Sequence, residues 1–442
     1  MDSPAPISSL QQDLKTPAWS LSRRVAFRFC FVYFGLYCAA TQILVSIFPV
    51  PKVDTPDLDT LWPMRQIIFW TAAHVFRIRH ELVYKDSGSG DKVFDWVMVI
   101  CVLVFAAVAT VIWSILDRRR ENYVTLYKWF RLFIRFALAS QMIAYGMSKV
   151  IPVQMPFPYL SLLIRPFGTF LPMAVLWLSI GSSPAYEIFA GCAEMLGGIL
   201  LIFPRATMLG ALICLVDMIQ VFTLNMTYDV PVKLLSFHLV LMALFLLAPE
   251  LSRLADFFLS NRAVGPSTQP QLFGSLRANR IAFAVQVMLG VWLVGVNSYG
   301  SWSAWHTYGD GRPRSALYGL WNVDQCSIDG VLRSPLLTDY DRWRRAIFEV
   351  PDSMYFERMD GSLARYGASI NDNDKTLALT KDSDKGWKAS FHFQRLAQDQ
   401  LILDGSMDGH TMHMQLRLVD LKQKFSLVKR RFHWIQEYPY TP

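Results

Sequence analysis

Residues 225–249 read NMTYDVPVKLLSFHLVLMALFLLAP and set two chemistries side by side. Asn225, Asp229, Pro231, Lys233 and His238 crowd into the first fourteen positions, and an unbroken apolar run follows. Such a run suits the hydrocarbon of a bilayer, where an ionisable side chain is costly unless it pairs or works. Two arrangements fit the polar half. It lines a pocket at a membrane boundary, or it is an interfacial loop whose lysine snorkels and whose Asp229 hydrogen-bonds the start of the next helix.

The rest of the chain agrees with a membrane setting. Its 442 residues are 53% hydrophobic and 14% aromatic, with a mean hydropathy of +0.27, too apolar for an ordinary soluble protein of this length. Further apolar stretches of span length lie near 25–48, 95–116, 126–150, 186–203, 207–228 and 281–299, which with 232–249 gives about seven transmembrane helices. Stretches 62–78 and 159–180 are broken by residues such as Pro63, Arg65, Arg165, Pro166 and Pro172 and read as interfacial or re-entrant. The first 24 residues lack an apolar core, so they read as a cytoplasmic segment and not as a cleavable signal peptide.

The net charge of +8 follows the membrane boundaries and the tail and forms no basic stripe, so nucleic acid is not an expected partner; the lipid bilayer is. Arg23, Arg24, the connector DRRRE (117–121), Arg205 and the linker with Arg253, Arg262, Arg277 and Arg280 fall on one side by alternation. The positive-inside rule makes that side the cytoplasm. The expected layout is helices with an outer loop over 25–125, a bundle over 126–250, a cytoplasmic linker over 251–280, a last span at 281–299 and a polar domain over 300–442. In a bacterium that last domain is periplasmic. Five of the six cysteines sit in apolar segments, no CxxC occurs, and Cys326 is left without an evident disulfide partner.

After residue 300 the hydrophobic period drops to two. Segments 317–325, 343–350, 354–361, 375–381, 387–396, 401–405, 410–420 and 425–435 alternate, and MDG at 359–361, NDND at 371–374 and MDG at 407–409 punctuate them as hairpins. An antiparallel meander of eight to ten strands suits a small barrel. His410 and His413, three apart on a strand, face opposite sides and do not share a metal ion.

Inside the spans, Arg135 lies nine residues into the third and Asp217 ten into the fifth. At ~1.5 Å per residue both sit roughly 14 Å deep, which fits a helix-locking ion pair. Nearer the outer face, Tyr145 and Lys149 close the third span, Glu187 and Glu194 open the fourth, Asn225 and Asp229 end the fifth, and Lys233 and His238 begin the sixth. Four helices thereby direct polar groups to a common depth. GCAEMLGG (191–198) surrounds Glu194 with small residues that let helix backbones approach.

RFALASQMIAYGMSKV (135–150), AGCAEMLGGILLIF (190–203) and NMTYDVP (225–231) together resemble the DoxX family of small four-helix membrane proteins. That family shows a helix ending G-x-x-K, here Gly146 and Lys149, and another with E-x-x-G-G, here Glu194, Gly197 and Gly198. The resemblance covers about residues 126–250. It implies a four-helix bundle and a link to membrane redox chemistry, as in the small subunit of thiosulfate:quinone oxidoreductase. In the tail, YGLWNV (318–323) resembles the G-x-W first strand of lipocalin-like barrels, with Gly319 and Trp321 in the barrel core and Arg430 or Arg431 stacked on the tryptophan. Such a barrel either holds a ligand or is filled with its own side chains.

No GxSxG, HExxH, P-loop, dinucleotide fingerprint or CxxCH is present. The expected function is membrane redox chemistry through a quinone or another lipophilic ligand. Glu194 or His238 exchanges the proton, Tyr145, Lys149 and Asn225 bind, and electrons come from a partner. The competing expectation is a non-enzymatic accessory subunit or scaffold whose β domain docks another membrane or periplasmic protein.

Overall fold

A computed structural model describes residues 18–51, 58–260, 262–265, 271–429 and 433–438. The helices are α1 (Leu21–Ala40), α2 (Gln42–Ile47), α3 (Met64–His74), α4 (Val93–Leu116), α5 (Val124–Val150), α6 (Leu160–Leu163), α7 (Pro172–Gly181), α8 (Pro184–Ile202), α9 (Thr207–Thr227), α10 (Lys233–Leu247), α11 (Leu251–Phe258) and α12 (Leu276–Thr307). Among the described residues five stretches are long and apolar enough to cross a membrane: α4, α8, Pro204–Thr227, Lys233–Phe258 and α12. α4 leaves Phe105, Val108, Ile112 and Ile115 exposed, a surface that lipid, and not water, solvates favourably.

Two expected spans differ in kind from these. The stretch 25–48 is two helices, because Thr41 is extended (φ −116°, ψ 171°) and separates α1 from α2. α5 is a single 27-residue helix, but it carries Arg131, Arg135 and Lys149 on surfaces buried by its neighbours. It serves as a central post of its unit. The chain divides into two compact units, one of residues 1–150 and 188–301, the other of 151–187 and 302–442. The connector 151–187, expected within the bundle region, therefore belongs with the strands.

In the second unit the strands are β1 (Gly319–Ile328), β2 (Val331–Leu332), β3 (Trp343–Val350), β4 (Ser353–Arg358), β5 (Leu363–Asn371), β6 (Thr376–Lys381), β7 (Asp384–Ala397), β8 (Gln400–Met407) and β9 (His410–Leu418). Each of β3 to β8 pairs antiparallel with the next, and β1 pairs with both β3 and β9, which closes an eight-stranded barrel. β2 extends only the end of β1. The β8–β9 hairpin turns on Asp408 (φ 53°) and Gly409 (φ 85°), the two left-handed positions that a two-residue Asp-Gly turn supplies.

Closure explains the two misread strands. Both edges of β1 are taken; of the expected strand 425–435, Ser426–Lys429 is a short helical turn and 433–435 form no strand, while 430–432 lie outside the described residues, and Leu421–Lys424 is a helical turn capped by Asp420. β5, not expected as a strand, fills the gap between β4 and β6.

The barrel is packed with its own side chains. Trp321, Phe348, Phe356, Phe391, Leu403 and Met414 are each essentially inaccessible, and each buried large apolar side chain contributes ~1.5–3 kcal/mol. Trp321 donates from its indole nitrogen to Leu317 O at 2.9 Å. Gly319 stands at φ +145°, where a Cβ would lie 2.4 Å from Leu418 Cδ1. Both residues lie at the start of β1, and Trp321 is part of the buried barrel cluster. The cation over Trp321 is Arg395, 5.8 Å from the ring centroid; Arg430 and Arg431 lie outside the described residues. At one mouth a cavity of about 650 Å³ remains, bordered by Trp343, Tyr366 and Met407.

Candidate functional site

Close helix approach builds the centre of the first unit. A Cβ on Gly146 of α5 would lie 2.9 Å from Met195 N on α8, and one on Gly191 would lie 2.6 Å from Gly146 O and 2.7 Å from Lys149 Cβ. The two backbones touch there. The contact sets Lys149 and Glu194, each three residues further along its helix, against one another. Lys149 Nζ donates to Glu194 Oε2 at 2.8 Å and Oε1 at 2.9 Å, and the side chains are only 10% and 5% exposed.

Around this pair lie Tyr145 and a third acid. Lys149 Nζ is 6.0 Å from the Tyr145 ring centroid. Gln42 of α2 donates to the Tyr145 hydroxyl at 3.1 Å and to Gln141 Oε1 at 3.0 Å. Asp217 of α9 lies within electrostatic reach of Glu194 and Lys149, and its buried Oδ2 makes no hydrogen bond. One ammonium thus faces two carboxylates.

The expected ion pair between Arg135 and Asp217 is not formed. Arg135 NH2 donates to Gln286 Oε1 on α12 and, at 3.2 Å, to Ile202 O, the last residue of α8. One turn earlier Arg131 donates to Leu246 O near the end of α10 at 2.8 Å. Both arginines satisfy terminal carbonyls, where a helix leaves acceptors unpaired and its dipole is negative. Arg135 therefore stands at the level where α8 ends, which counting from its own helix start could not show.

His238 and Asn225 also differ from expectation, because their hydrogen bonds lead away from Lys149 and Glu194. His238 lies flat on Tyr37, with ring centroids 3.6 Å apart at 10°. Its Nδ1 lies 2.6 Å from Leu234 O, a carbonyl that can only accept, so that nitrogen carries the proton. Nε2 then accepts from the Tyr33 hydroxyl at 2.7 Å. A neutral imidazole satisfied on both sides, 1% exposed, holds α10 to α1. Asn225 donates to Ser236 Oγ at 3.0 Å and fastens the α9–α10 turn. Of the five expected pocket residues the structure joins Tyr145, Lys149 and Glu194.

The opening stretch has a partner that sequence reasoning missed. The backbone N–H groups of Lys233 and Leu234 donate to Asp91 Oδ2 and Oδ1 at 2.7 and 2.9 Å, and Gly90 N–H donates to Pro231 O at 2.8 Å. Asp229, expected to cap this helix, instead pairs with Lys233 Nζ at 2.8 Å. A signal existed. Val232 holds the N-cap position and has no side-chain acceptor, so the first amides of α10 had to find one elsewhere. Glu187, aligned with Glu194 in the sequence reading, is fully buried and accepts from Met155 N at 2.9 Å in the second unit.

Among the described residues no group of three His, Cys, Asp or Glu is arranged to hold a metal ion. His410 pairs with Asp329 at 2.6 Å and His413 with Asp404, so the two imidazoles have separate partners. The pairing raises the pKa of His410 and lowers that of Asp329.

No protein-family model matches the chain, and no solved structure matches it. Over 127 residues it is 32% identical to the uncharacterized protein YwoB of Bacillus subtilis (strain 168), a match that covers 27% of this chain and 72% of that protein.

Proposed function

We propose that this chain, which belongs to the same family as YwoB of B. subtilis, is a DoxX-like integral protein of the bacterial inner membrane that receives the polar head of a quinone or another lipophilic ligand at Tyr145, Lys149 and Glu194. The N-terminus is cytoplasmic, the β-barrel periplasmic, and the protein acts in or beside membrane redox chemistry. The observation that carries the reading is the buried Lys149–Glu194 pair with Asp217 beside it. A carbonyl oxygen gaining electrons needs a cation to oppose its charge and an acid to protonate it. Lys149 supplies the first, and the carboxyl of Glu194 or of Asp217 the second. Electrons come from a redox partner. His238, hydrogen-bonded on both nitrogens, is a positioning residue in this reading and exchanges no proton.

Glu194→Gln tests it: quinone-dependent turnover in purified membranes should fall at least ~100-fold, the usual scale for loss of a general acid, with expression intact. Asp217→Asn spares the ion pair and should lower turnover while leaving stability near wild type. Unchanged turnover in both variants refutes the assignment. A second reading, an accessory subunit held rigid by the same pair, draws on the fact that both Glu194 oxygens accept from Lys149. It predicts a stoichiometric protein partner in mild-detergent pull-downs, and recovery of the lone chain would count against it.

A further inference from the structure

In the second unit a cavity of about 1000 Å³ opens between the outer barrel wall and the connector after α6. Its floor is apolar. Leu163, Ile164, Leu320, Tyr355, Leu363 and Phe425 belong to a cluster packed around Leu160 and Ile347. Its rim is charged, with Arg165, Arg344, Arg345 and Lys424 against Glu357 and Asp360, four cations and two carboxylates, a balance of +2.

The two acids are already engaged. Glu357, almost completely buried, accepts from Arg345 at 2.9 Å and lies 3.5 Å from Arg344. Asp360 accepts from Ser362 N–H at 2.8 Å. Among the described residues Arg165 and Lys424 have no acidic partner; Arg165 lies over the Phe170 ring, 5.2 Å from its centroid. Beside Arg165 the same loop exposes Phe167 at 74% and Leu171 at 76%. Large exposed apolar side chains next to a cation are the composition of a surface that meets lipid headgroups.

We infer that this cavity binds the alkyl chain of an anionic amphiphile, with its carboxylate or phosphate held by Arg165, Arg344 and Lys424. The volume is that of a small-molecule site. The apolar cluster suits an alkyl chain, and the +2 balance of the rim suits an anionic head. The head could belong to a free fatty acid or to a membrane phospholipid, and the shared chemistry is an anion on a long chain.

The test uses the full-length protein in an uncharged detergent, titrated with oleate and with dioleoylphosphatidylglycerol and read by native mass spectrometry and equilibrium binding. Oleyl alcohol and dioleoylphosphatidylcholine serve as counterparts without net charge, and butyrate as the head without the chain. One equivalent of oleate, of the phosphatidylglycerol, or of each should bind about tenfold tighter than its counterpart, the scale of two partly exposed ion pairs; which one binds identifies the source. Butyrate should not bind. In Arg344→Glu/Lys424→Glu, whose positions are exposed on the rim, the preference for the anion should vanish. An anion preference that survives the double substitution, equal binding of charged and uncharged heads, or binding by neither anion overturns the inference. The butyrate and counterpart arms need no variant and stand if the double substitution misfolds.

Discussion

Replacing Asp91 with alanine should open the first turn of α10. Its carboxylate takes the two leading amides of that helix at 2.7 and 2.9 Å, lies 3.8 Å from Lys233 Nζ and is 8% exposed. Hydrogen bonds to a charged group contribute ~1.5–3 kcal/mol, and loss of an N-cap alone costs ~0.5–2 kcal/mol. These describe one interaction from two sides, so the expected loss is about 2–3 kcal/mol and not their sum. Hydrogen exchange of the Lys233 and Leu234 amides measures it, and about 30- to 150-fold faster exchange corresponds to that range. Asp91→Asn keeps one acceptor oxygen and should give a smaller effect. Unchanged exchange at both amides in Asp91→Ala would show that the carboxylate does not hold the helix start.

Gly191→Ala places a methyl group within 2.6 Å of Gly146 O; α5 and α8 must separate, at ~1–3 kcal/mol by the usual cost of overpacking, visible as a lower thermal midpoint in detergent. In the barrel, an NMR titration should find His410 above the ordinary imidazole value near ~6.5, and Asp329→Asn should return it there. The sign follows from the direction of each shift. The pair favours folding between the lowered Asp329 pKa and the raised His410 pKa, and that contribution fades as pH rises through the latter or falls through the former.

Local signals were legible and remote partners were not. Alternation and MDG punctuation locate most of the barrel strands because period and turn chemistry are properties of a few adjacent residues. The stretch 425–435 also alternates, but the fate of its described residues depends on whether an edge is free, which is decided by β1 about a hundred residues earlier. Among the buried ionisable groups the same rule applies. Gly146, Lys149, Gly191 and Glu194 carry their spacing in sequence, which sets Lys149 and Glu194 at a common depth without pairing them. Arg135 offers only a depth, and depth does not name a partner; it found a helix end and Gln286. His238 was read with the acids because it opens the same helix region as Lys233, whereas Tyr33 and Tyr37, some two hundred residues away, take its Nε2 and its ring face and Leu234 O on its own helix takes Nδ1.

The most direct measurement extracts the purified full-length protein and its Lys149→Met variant with organic solvent and quantifies bound lipophilic molecules by mass spectrometry. A ligand seated on the Lys149 ammonium predicts a quinone or similar carbonyl-bearing lipid near one equivalent in the wild type and its loss from a folded Lys149→Met protein. Equal retention by both, or no enrichment over the surrounding lipid in either, would contradict it.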